Sequence, residues 1–193
     1  DATTLDNPGP HGDGEFFALW LDDIAGGDGA GHNPNVPNIG INALTGDEEK
    51  SQGKNVFMAR IGMENTTFSD IEVKGNRAYL IVARLSKTQP GPLGVFDHLE
   101  LWVDPNGDKS QPPDATAHGR GSNLVRWVGF STGKKTELND FILLDELAIG
   151  ERWEDVVPGA KGRQSPQPGG ETIAEGEKGK IDFRRDVYPI LQE

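Results

Sequence analysis

The sequence predicts an all-β fold, a sandwich of two antiparallel sheets, from three features. First, 26 Gly and 13 Pro in 193 residues make turns frequent and long helices unfavourable. Second, about eight short apolar segments recur between those turns, none with Pro inside it. Third, no apolar period of 3.6 residues runs for a useful length before residue 150. A hydrophobic content of 34% leaves room for one core rather than two.

The segments are taken in chain order. Residues 1–14, DATTLDNPGPHGDG, are polar and turn-rich and read as an N-terminal loop. EFFALWLDD (15–23) is the first strand, with Phe17, Leu19 and Leu21 on one face and Phe16, Ala18 and Trp20 on the other, so both faces should be covered. Residues 24–37 carry Gly, Asn and Pro and form a long surface loop. NIGINAL (38–44), NVFMARIG (55–62) and FSDIEVK (68–74) follow as strands. Gly75-Asn76 is a two-residue turn that should close a hairpin onto RAYLIVARLS (77–86), a strand apolar on both faces and therefore central. FDHLELWVD (96–104) sets Leu99, Leu101 and Val103 against His98, Glu100 and Trp102. After a loop over 105–122, NLVRWVGFS (123–131) and DFILLDELAIG (140–150) complete the set.

The sandwich should span 15–158. Residues 159–180 have almost nothing to bury and read as a flexible linker, which makes the C-terminal part a flexible extension. IDFRRDVYPILQE (181–193) regains apolar residues but is too short to fold alone, so it reads as the start of a truncated following domain or as a segment that docks.

Charge and composition exclude several functions. A formal net charge of −12 leaves no excess of Lys or Arg to displace phosphate counterions, which argues against nucleic acid and against an anionic membrane surface. Without cysteine there is no disulfide, thiolate metal site or cysteine nucleophile in the chain. No apolar run reaches the roughly 20 residues of a membrane-spanning helix, and the opening at Asp1 rather than Met reads as a processed or excised piece.

Two oxygen-rich groups are candidate calcium ligands: Asp104, Asn106 and Asp108 in DPNGD, and Asp22, Asp23 and Asp28 at the end of the first strand. An EF-hand would need Gly at residue 109 and Glu at residue 115, where Lys109 and Ala115 stand. DPNGD therefore also reads as a plain turn in which the Asp side chains bond locally. The four histidines, His11, His32, His98 and His118, share no spacing and read as loop or surface residues. Asp145 and Glu146 are adjacent, so in a strand they would point to opposite faces and could not pair as acid and base. For sugar recognition the aromatic supply is Trp20, Trp102, Trp127 and Trp153; Trp102 shares a face with His98 and Glu100 and is a candidate platform, although packing is the favoured role for it. The loops 24–37 and 105–122 are better placed for recognition than any of these tryptophans.

HLELWVDP, followed some 40 residues later by FILLDELAIGERWEDVVP, resembles the last strands of concanavalin A-like domains of the laminin G type, as found in planctomycete-type surface and secreted proteins. The matching positions are Leu101, Trp102, Val103, Asp104 and Pro105, then Asp145, Glu146, Leu147, Ile149, Gly150, Trp153 and Pro158. The resemblance covers 77–158 well and 15–158 loosely, and residues 1–14 do not look like the strands such domains carry there. It implies a jelly-roll topology. The Glu-x-Asp-x-x-Glu pattern of the laminarinase-type glycosidases of this fold is absent. KIDFRRDVYPILQE is similar to the opening of a planctomycete-type cytochrome c domain, so the haem this implies would belong to a following domain.

The expectation is a non-catalytic recognition or adhesion module of a larger secreted, periplasmic or cell-surface protein, with carbohydrate as partner and calcium as a candidate ion. The alternative is a structural domain that binds protein partners in an envelope or extracellular assembly, and a weaker one is a glycoside hydrolase.

Overall fold

The computed structural model describes residues 15–23, 36–43, 54–62, 66–138 and 140–157. Its described residues divide into two compact units, one holding all the strands below and the other formed from Pro105–Gln111 and the described residues from Ile142 on.

The first unit is an all-β sandwich. Its strands are β1 (Phe16–Asp22), β2 (Asn38–Ala43), β3 (Asn55–Arg60), β4 (Thr66–Glu72), β5 (Ile81–Ser86), β6 (His98–Val103), β7 (Ala115–His118) and β8 (Trp127–Thr132). A five-stranded sheet has the order β4-β3-β2-β1-β8, and a three-stranded sheet the order β5-β6-β7. All pairings are antiparallel.

Alternation along each strand decides what enters the core. Phe57, Ala59 and Ile61 at β3 face Leu99, Leu101 and Val103 of β6 and Ala115 and Ala117 of β7, all buried. Ile39 and Ile41 of β2, Ile71 and Val73 at β4, and Ile81, Ala83 and Leu85 of β5 flank them. Complete burial of a Leu such as Leu101 contributes about 1.5–3 kcal/mol. The two alanines of β7 let that strand lie close over β3 and β4. Where β3 meets β4 the register slips: Val56 and Met58, two apart, face Glu72 and Phe68, four apart. Because the slip is an even number, Ile71 keeps the inward side. At the other side of the sheet Phe17 of β1 stacks on Phe130 of β8, with ring centroids 5.9 Å apart.

Asp97 ties the β5–β6 connection: its carboxylate accepts the Thr88 N–H at 2.8 Å, and that bond holds the carboxyl below the usual carboxylate range.

Four expectations need correction. Gly75-Asn76 does form a turn, with Asn76 in the left-handed region at φ 56°, but β4 and β5 belong to different sheets, so it begins a crossing between layers rather than a hairpin. Residues 77–80 are held in that crossing: the Tyr79 hydroxyl accepts the Lys74 N–H at 2.7 Å, and the Leu80 carbonyl accepts the Asp104 N–H at 2.8 Å. RAYLIVARLS is not central; its strand is only Ile81–Ser86 and stands at one end of its sheet, because β6, with more of its length buried, takes the middle. The loop expected over 105–122 contains β7, whose buried Ala115 and Ala117 alternate with Thr116 and His118. Residues 140–150 are not a strand: apart from a single bridge at Ala148 they are irregular, Glu146 at φ 54° interrupts any extended run, and Phe141 and Leu143 are exposed.

The second unit contains α1 (Trp153–Val156), a single turn whose Arg152 N–H donates to Asp155 at 3.0 Å. The Trp153 indole N–H donates to the Gly107 carbonyl at 3.2 Å. The linker and tail expected at 159–180 and 181–193, and the loop at 1–14, lie outside the described residues.

Gly40 in β2 has no room for a side chain, since a Cβ there would lie 1.9 Å from the Phe17 carbonyl oxygen, whereas one at Gly129 in β8 would meet nothing within 4 Å. Gly40→Ala should therefore destabilise the chain by more than about 2 kcal/mol. Gly129→Ala should stabilise it by up to about 0.5–1 kcal/mol through its smaller loss of backbone entropy. Urea denaturation of the two variants checks both signs.

Candidate functional site

The outer face of the five-stranded sheet is built by the same alternation that fills the core. With Phe17, Leu19 and Leu21 inward, β1 turns Phe16, Ala18, Trp20 and Asp22 outward, and the register carries that side to Asn38, Gly40 and Asn42 of β2 and to Trp127, Gly129 and Ser131 of β8. One row crosses four strands: Gly129 opposite Trp20, Trp20 opposite Asn38, and Asn38 opposite Arg60.

Trp20 is the floor of this row. It is 6% exposed, its indole N–H donates to the Ser131 hydroxyl at 2.5 Å, and the Arg60 guanidinium lies 5.2 Å above its ring. Asn38 is fully buried and donates its amide N–H to the Val36 carbonyl at 3.2 Å. Its Oδ1, like the Arg60 Nε across the register, is buried without a hydrogen-bond partner. Burial also lowers the Arg60 pKa from its ordinary value, as desolvation does for any cation. An acceptor and a donor left unsatisfied in this way each cost about 1–3 kcal/mol, and both lie beneath the accessible surface.

Beside the floor stands an open aromatic. Trp127, opposite Asp22, is 51% exposed, and two residues along the strand Gly129 leaves empty space between Trp127 and Ser131. An exposed indole, a notch with no side chain in it and a hydroxyl together suit a ring that is apolar on one face and hydroxylated at its edge.

The residues singled out in the sequence fall elsewhere. Trp102 is 2% exposed with the Arg84 guanidinium 5.7 Å above its ring, so its face is not open to a ligand. Glu100 beside it is buried, and its Oε2 lies 2.5 Å from both Arg84 Nε and Nη2. His98 of β6 stands opposite His118 of β7, their Nδ1 atoms 3.0 Å apart, which brings together two histidines with no shared spacing in sequence. Asp104 accepts the Leu80 N–H at 2.8 Å and the Arg77 guanidinium at 2.7 Å. In the second unit Asn106 accepts the Asp108 N–H at 2.9 Å, and Asp108 accepts the Ser110 N–H at 2.9 Å. These are the local bonds of a turn. Asp22 is buried, the Asp23 carboxylate accepts the Ser122 hydroxyl at 2.7 Å, and Asp28 lies outside the described residues. Among the described residues no three His, Asp or Glu side chains are grouped to hold a metal ion. Asp145 accepts the N–H of Glu146 at 2.9 Å in an irregular segment, so the opposite-face argument made for a strand does not apply to this pair.

Sequence reading missed Asn38, Arg60, Trp127 and Gly129 as a group because they come from three strands. A partial signal exists in β8, where Trp127, Gly129 and Ser131 alternate with Val128 and Phe130. No protein-family model matches the chain, and neither a curated protein nor a solved structure matches it.

The two tryptophans should separate in stability. Trp102→Ala should cost about 3–5 kcal/mol, as loss of a packed aromatic does, while Trp127→Ala should stay within about 0.5 kcal/mol of the parent, as exposed positions do. Chemical denaturation followed by far-ultraviolet circular dichroism checks the pair.

Proposed function

We propose that the chain is a non-catalytic recognition module that binds carbohydrate on the outer face of its five-stranded sheet. The supporting observation is the half-exposed Trp127 on the same side of β8 as the open position at Gly129 and the Ser131 hydroxyl. A pyranose would stack its C–H face on the indole, and its hydroxyls would reach toward Ser131. The all-β sandwich fits a module of this kind, and the resemblance to concanavalin A-like domains supports placing it in a larger secreted or surface protein. The haem-bearing continuation belongs to that same reading and rests on residues outside those described. Calcium is not required by the Trp127 site; the loop ligands Asp104, Asn106, Asp108, Asp22, Asp23 and Asp28 remain its candidates.

A second reading has its own observation. Leu143 and Ile149 of the second unit are each more than half exposed, and exposed apolar side chains of this kind favour a protein partner in an envelope or extracellular assembly.

A glycan array probed with and without a calcium chelator tests the first reading. Binding should appear, and Trp127→Ala and Gly129→Val should each weaken it about tenfold or more, a loss of about 1.4 kcal/mol or greater. Gly129→Val fills the notch without removing any contact of the free protein, so a loss there is a loss of ligand space. Binding that ignores both substitutions would move the site away from this face, and binding lost to the chelator would bring the calcium loops into it.

A further inference from the structure

We propose that His98 and His118 form a cross-strand chelate for a borderline transition-metal ion, copper(II) in preference to nickel(II) or zinc(II). The two residues are directly opposite in the β6–β7 register and lie on the outer face of the three-stranded sheet, on the side of Glu100 and away from the core. Their Nδ1 atoms are 3.0 Å apart and their ring centroids 4.5 Å apart, at 58° between planes. The centroids are thus only 1.5 Å further apart than the nitrogens, less than two ring radii, so the rings lean together. In the metal-free chain the two Nδ1 atoms share a hydrogen bond, one imidazole donating and the other accepting, and an ion bound between them would take the place of that proton. An ion about 2.05 Å from each nitrogen would see a 3.0 Å pair at about 94°. That is close to the right angle between neighbouring ligands in a tetragonal site and narrower than the roughly 109° of a tetrahedron, which favours copper(II) or nickel(II) over zinc(II). The ascending affinity of nitrogen sites for divalent first-row ions puts copper(II) first.

The surroundings fit a metal-binding imidazole. On the far edge of the His98 ring, Nε2 lies 3.6 Å from Glu100 Oε2, a carboxylate held in turn by Arg84. A carboxylate near the nitrogen that does not bind metal can take up that nitrogen's N–H when the ring shifts onto an ion. The Arg84 charge balances Glu100, so the pair adds no net charge beside the ion. His118 is exposed, which gives an ion access and leaves further coordination positions to water or to an outside donor.

Titration of the full chain with copper(II) in a non-coordinating buffer, read by calorimetry and electron paramagnetic resonance, tests the chelate. One copper(II) should bind per site, with two equatorial nitrogens from His98 and His118 in its spectrum, and more tightly than nickel(II) or zinc(II). His98→Ala and His118→Gln should each lower the affinity about tenfold or more, and Glu100→Gln by about tenfold. His11→Ala and His32→Ala should leave the two-nitrogen signal unchanged. His118→Gln changes an exposed position, so its metal-free melting should match the parent and separate a lost ligand from a lost fold. Unchanged copper(II) affinity in the double variant His98→Ala/His118→Gln, no binding in the parent chain, or tighter binding of zinc(II) than copper(II) would each overturn the proposal.

Discussion

The register of β6 is the constraint on which the sandwich depends. Leu99, Leu101 and Val103 are buried against Phe57, Ala59 and Ile61, and because side chains alternate along a strand, that burial sends His98, Glu100 and Trp102 to the opposite face. A slip of one residue would exchange the two sets. It would bring a carboxylate and an imidazole into an apolar layer and expose three core residues, and an unpaired buried charge is strongly disfavoured. The core therefore selects one pairing, and that pairing places His98 opposite His118 and Glu100 within reach of Arg84. Packing and surface chemistry have a single cause here.

The same logic runs through the larger sheet with a different outcome. Phe17, Leu19 and Leu21 take the inner side of β1, so Trp20 and Asp22 take the outer. There the apolar content is smaller, a buried cluster of Ala18, Trp20, Val36 and Met58 with Phe16 and Phe68 beside it, and polar groups are buried on the same side. Asn38 Oδ1 and Arg60 Nε remain unsatisfied in it. Buried polar groups without partners are few in folded proteins and invite a functional explanation. Gly40 lets β2 approach β1 closely, while Gly129 leaves space at β8. One glycine is needed by the fold, and the other opens a place for something else.

Much of this fold was legible in the sequence because period-two alternation and turn residues act locally. EFFALWLDD, NVFMARIG and FDHLELWVD became β1, β3 and β6 with ends shifted by one or two residues. What failed involved choices between distant partners. Gly75-Asn76 signals a turn, but nothing local says that the chain after it will change sheets, a choice made by Tyr79, Leu80 and Asp104. DFILLDELAIG has strand composition, yet pairing needs a neighbour and backbone angles that Glu146 does not adopt. ATAH was hidden in a Pro-rich stretch because two alanines give a weak apolar signal, although their small size is what suits β7 to its place. For the site, Trp102 was visible as an aromatic but not as a buried one, and Trp127 was visible but not as exposed, since burial is a property of the layers and not of the strand.

The central claim is that the outer face around Trp127, and not the Trp102 face, receives the ligand. It is tested most directly by following the indole N–H resonances of the four tryptophans in a nitrogen-15 correlation spectrum during titration with a glycan that binds. The Trp127 resonance should move most, with Trp20 following through its Ser131 bond, while Trp102 stays in place. Movement centred on Trp102, with Trp127 unaffected, would contradict the account.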